Sequence, residues 1–132
     1  MNNQQDVSNW VREQFQRANK YLAEQGILFS TVVSEESRYL APHIAVWKIK
    51  DTKNNFYWVI CGDVPADALP IKVATNARDA IRHFSLTWQL KADAIQNNPK
   101  SDATQLAYAD LLVNKAEMIY SIQEQQQVWQ DS

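Results

Sequence analysis

The spacing of apolar residues divides the chain into a helical beginning, a β-rich middle and a long helical end. Val11, Phe15, Ala18 and Leu22 recur at intervals of four, three and four, which places them on one face of a helix over residues 8 to 25. Ser8 or Asp6 can cap its start, and Gly26 supplies the left-handed residue that ends it. Trp10 and Tyr21 flank the stripe.

From Ile27 the texture turns β-branched and aromatic: Thr31 to Val33, then HIAVWKIK at 43 to 50, then FYWVICG at 56 to 62. The polar turn formers DTKNN at 51 to 55 join the last two runs as an antiparallel hairpin, the firmest β prediction. Pro42 marks where the first of these strands begins. Alternation along that strand sends Ile44, Val46 and Lys48 to one face and Ala45, Trp47 and Ile49 to the other, so one face is expected to be the more deeply buried. GDVPADALP at 62 to 70, with a glycine and two prolines, reads as a loop leaving the sheet.

Helix resumes near Thr75 or Asn76, either of which can cap it. Ala77, Ile81, Phe84, Trp88, Ala92 and Ile95 form the stripe as far as about residue 97. Trp47, Phe84 and Trp88 are expected in the core, as apolar members of periodic elements. Asn97, Asn98 and Pro99 break the pattern, and Ser101 or Asp102 starts a last helix. That helix carries two adjacent stripes, Leu106, Ala109, Val113, Ala116 and Tyr120 in one and Tyr108, Leu112, Ile119 and Ile122 in the other. So much apolar circumference needs two covers, an antiparallel helix on one side and the sheet, the first helix or another subunit on the other. A homodimer through Tyr108, Leu112, Ile119 and Ile122 is the expectation if the second cover is a copy of the chain. Trp129, in a polar tail without a stripe, suggests contact with a partner or another subunit if it is exposed.

The expected fold is α+β: an N-terminal helix, a small antiparallel sheet of about three strands, then two long antiparallel helices. The expected organisation is a single domain over 1–132, with short flexible ends at 1–6 and 124–132. Its 132 residues can bury a core without metal or disulfide. A net charge of -2 with no block of basic residues argues against nucleic acid and anionic membranes as partners. No apolar run reaches membrane-spanning length, the N-terminus lacks the parts of a secretory signal, and Cys61 has no second cysteine to pair with, so a cytoplasmic location is expected.

Two glycines cannot build a glycine-rich phosphate cradle, and one cysteine with two distant histidines gives no metal spacing, so neither cofactor nor metal is expected. The most polar candidate site joins Asp63 and Asp67 to Arg78, Asp79, Arg82 and His83. Paired arginines can hold a carboxylate or phosphate, and a carboxylate can orient a histidine. The structural alternative is that the aspartates serve the helix dipole and turns while the rest form surface ion pairs. Cys61 with His83 could form a thiolate–imidazole nucleophile only with the base within hydrogen-bonding reach and an oxyanion site, whereas a strand position favours an unreactive buried thiol.

SRYLAPHIAVWKI at 37 to 49, WVICGDVPAD at 58 to 67 and ARDAIRHFSLTWQLKA at 77 to 92 resemble the core of a bacterial domain-of-unknown-function family of small single-domain proteins. The GDxPxD loop and the ARDAxRHFSLxWQ helix carry most of that resemblance. It implies a small bacterial protein and transfers no catalytic residue. The leading functional reading is a non-enzymatic binding or accessory protein acting through protein contacts. A small-anion-binding protein or hydrolytic enzyme using Asp63, Asp67, Arg78, Arg82 and His83 is the alternative, and an immunity- or antitoxin-like partner is a third class.

Overall fold

A computed structural model describes residues 3–129, in two compact units, Met1–Ala80 and Ile81–Ser132. The first unit holds helix α1 (Asn3–Glu24) and strands β1 (Phe29–Val32), β2 (Arg38–Leu40), β3 (Ile44–Asp51), β4 (Phe56–Gly62) and β5 (Asp67–Pro70). Helix α2 (Ala77–Gln96) begins there and continues into the second unit, which adds α3 (Ala103–Glu124) and the short α4 (Gln126–Trp129). The α+β class is as expected.

Helix α1 starts before the expected caps, so Asp6 sits in its first turn, where a carboxylate favours the positive end of the helix dipole. Of the two segments expected to be flexible, residues 3–6 belong to α1, Glu124 ends α3 and Gln126–Trp129 form α4 beyond the extended Gln125, while 1–2 and 130–132 lie outside the described residues. Gly26, at φ 80°, closes α1 in a Schellman motif: Ile27 N–H donates to Leu22 O at 2.8 Å and Gly26 N–H to Ala23 O at 3.0 Å.

The sheet is antiparallel throughout, in the order β1, β3, β4, β5, with β2 also paired to β3. Five strands form where about three were expected. The two extra ones are short edge pieces. β2 occupies the half of β3 that β1 leaves open, and the buried Ser37 bridges the gap, its hydroxyl donating to Val33 O at 2.8 Å and accepting from Lys48 N–H at 2.9 Å. β5 forms inside the expected loop, because residues 63 to 66 are enough to reverse the chain and Pro70 ends an edge strand that asks for no further donor.

The β3–β4 register pairs Trp47 with Val59 and Ala45 with Cys61 on one face, and Val46 with Ile60 and Lys48 with Trp58 on the other. On the first face Ala45, Trp47, Ile49, Val59 and Cys61 close over Ala18 and Leu22 of α1, with Val11, Phe15, Trp10 and Tyr21 packed around them. Phe15 meets the Trp47 ring edge-on at 5.3 Å. The second face is buried as deeply, contrary to expectation: Ile44, Val46, Trp58 and Ile60 are all at most 1% exposed. Lys48 does not mark a wet face, because its ammonium leaves along the Phe56 ring, 5.5 Å from the centroid, to Glu36 at 2.9 Å.

The β3–β4 turn is organised by one carboxylate. Asp51 Oδ1 accepts from Lys53 N–H and Asn55 N–H, each at 2.8 Å, while Oδ2 accepts from the Asn55 amide at 3.3 Å and the Tyr57 hydroxyl at 3.2 Å. Asn54 takes the left-handed conformation at φ 69°, as asparagine tolerates better than most residues. Burial opposes ionisation of Asp51, but these four donors outweigh it and hold the carboxyl below its ordinary range.

In the second unit Ile81, Phe84, Trp88 and Ala92 are buried along α2, as the stripe predicts, so Trp47, Phe84 and Trp88 are all core residues. The break at 97 to 100 turns the chain back, and Ser85 Oγ donates to Ala116 O at 2.9 Å, a pairing that only antiparallel helices allow at these positions. Asp102 caps α3 in a full capping box with Gln105.

Two measurements follow. Because the folded-state pKa of Asp51 is depressed, its contribution is complete above the ordinary carboxylate value, about 4, and is lost as pH falls through the lower folded value. Denaturant titrations from pH 6 to 2 are expected to show an acid loss of stability that Asp51→Asn reduces, and an unchanged acid limb refutes the assignment. Phe84→Ala is expected to destabilise by about 3–5 kcal/mol in urea unfolding, the range for truncating a buried phenylalanine.

Candidate functional site

Five of the six residues of the expected cluster, Asp63, Asp67, Arg78, Arg82 and His83, occupy two stretches of backbone. Asp63 is exposed just beyond β4, with its N–H donating to His43 O at 2.8 Å. Asp67 opens β5, where its carboxylate accepts from Ala68 N–H at 2.8 Å and from the Tyr21 hydroxyl at 3.4 Å. Arg78 is half-buried in the first turn of α2, and Arg82 and His83, one exposed and one half-buried, follow in the second. Each of the five engages neighbouring groups.

Asp79 acts at the helix start. Asn76 Oδ1 accepts from Asp79 N–H at 2.8 Å, and the Asp79 carboxylate reaches back to Thr75 N–H at 3.3 Å. This reciprocal arrangement satisfies donors that a helix beginning leaves open, the structural role expected of an early aspartate.

The loop after β4 is tied to α1 by residues the sequence did not single out as a set. Arg17 Nη1 donates to Gly62 O at 2.6 Å and to Gln14 Oε1 at 2.9 Å, and Tyr21, one turn further along, holds Asp67. Cys61 lies beneath, fully buried, its thiol donating to Gln14 O at 3.3 Å. Burial pushes the thiol pKa up, against smaller opposing influences from Trp47 and Arg17, so Cys61 is protonated at neutral pH. That removes the thiolate from consideration as a nucleophile. The Trp47 indole N–H is buried with no hydrogen-bond partner among the described residues.

Gly62 is fixed by sterics. At φ 126° it passes so close to β3 that an added Cβ would sit 2.5 Å from His43 O and 2.8 Å from Ile44 Cα, both backbone atoms. The glycine of the GDxPxD pattern therefore serves a close backbone approach.

The second unit presents a different feature. On α3, Ala109, Leu112, Ala116 and Ile119 are fully buried, whereas Leu106, Tyr108, Leu111 and Tyr120 are exposed. Leu86 and Leu90, one turn apart on α2, are also exposed. The expected dimer face is thus divided: Leu112 and Ile119 are packed within the chain, Ile122 is half-buried and Tyr108 is at the surface. The two sequence stripes converge on one buried line between them. Trp129 is half-buried, its indole N–H donating to Ile122 O at 3.2 Å, so the tail folds back on a carbonyl that also accepts from Gln125 N–H at the end of α3.

Among the described residues no group of three or more His, Cys, Asp or Glu is placed to hold a metal ion, and no helix is long and apolar enough to cross a membrane. What these features define is a small α+β protein with a helix-covered antiparallel sheet and an apolar-surfaced helical hairpin. The chain belongs to the family described as Domain of unknown function (DUF4826), whose model matches residues 3–129. No curated protein and no solved structure matches it.

Gly62→Ala is expected to lower stability by about 2–4 kcal/mol, since strain at a positive φ adds to a clash between backbone atoms. A melting temperature within one degree of the parent protein rules out this account of the loop.

Proposed function

We propose that the chain is a non-enzymatic binding or accessory protein that acts through protein contacts and self-associates through the outer surface of the α2–α3 hairpin. The observation that supports this is the exposure of six large apolar side chains, Leu86, Leu90, Leu106, Tyr108, Leu111 and Tyr120, on two consecutive helices whose inner line is already filled. Apolar side chains scattered singly are ordinary on a surface, but a helix apolar around most of its circumference calls for a second cover. A twofold pairing of like surfaces is the simplest closed arrangement that provides one.

The setting proposed for this activity is the bacterial cytoplasm, supported by the family resemblance and by a lone, buried thiol that serves packing. The alternative, an anion-binding or hydrolytic site, would rest on Arg78, Arg82 and His83 within the first two turns of α2. Stabilisation of the fold by phosphate or a small carboxylate in a thermal-shift screen, lost in Arg78→Ala, would favour that alternative.

Sedimentation velocity tests the main reading. The native protein is expected to sediment as a dimer at micromolar concentration, and the double substitution Leu86→Glu with Leu90→Glu to give a folded monomer, since both positions are exposed. Leu112→Glu with Ile119→Glu is expected to unfold the hairpin instead, because those side chains are fully buried. A native monomer at high micromolar concentration overturns self-association.

A further inference from the structure

We draw no further inference here: the strongest candidate, the exposed patch of Leu28, Phe29 and Tyr39 along the β1 and β2 edge of the sheet, has nothing in the structure to show what covers it.

Discussion

The buried carboxylate of Asp51 fixes how β3 meets β4, and the rest of the first unit depends on that meeting. Side chains along a strand alternate between faces, so a slip of one residue would send Trp47 and Ile49 away from α1 and bring Val46 and Lys48 toward it. The turn residues contain no glycine to select a tight hairpin geometry. Four donors converging on one side chain select it instead, with Tyr57 reaching back from the second strand to the same carboxylate.

Much of this was legible in the sequence, for identifiable reasons. The stripes of α1 and α2 repeat at helical spacing over several turns, and the hairpin has two β-rich runs around a polar turn. The missed strands β2 and β5 are three and four residues long, too short for a period to show. They form because β3 and β4 already offer edges to pair with. Lys48 misled the reading of the sheet because alternation reports where a side chain leaves the backbone, whereas a long aliphatic stem can carry its charge back out to Glu36. On α3 the two apolar stripes had equal standing in the sequence. Only packing could show that the buried line runs between them.

The candidate polar residues teach a similar lesson. Asp79 proves to be half of a helix start, and Asp67 is held by Tyr21, so carboxylates that looked available for chemistry have structural partners. The bonds from Arg17 to Gly62 and from Tyr21 to Asp67 left no trace in the sequence, because their partners are 45 and 46 positions away and no local spacing encodes them. Against that, Leu86 and Leu90 on α2 and Leu106, Tyr108, Leu111 and Tyr120 on α3 are large apolar groups left exposed.

The Arg17 to Gly62 link also bears on how the chain's freedom is distributed. Closing β3 onto β4 needs only the short turn at 51 to 55, whereas bringing α1 to the far end of β4 closes a loop of 45 residues. By the logarithmic growth of loop entropy the second closure costs about 2 kcal/mol more than the first. Chain statistics therefore favour the hairpin on its own account, while the position of α1 is owed to what it buries: Ala18, Leu22 and the Gln14 carbonyl that receives the thiol of Cys61. In this unit the sheet is the inexpensive part of the architecture, and the helix that closes over it is held almost wholly by side chains.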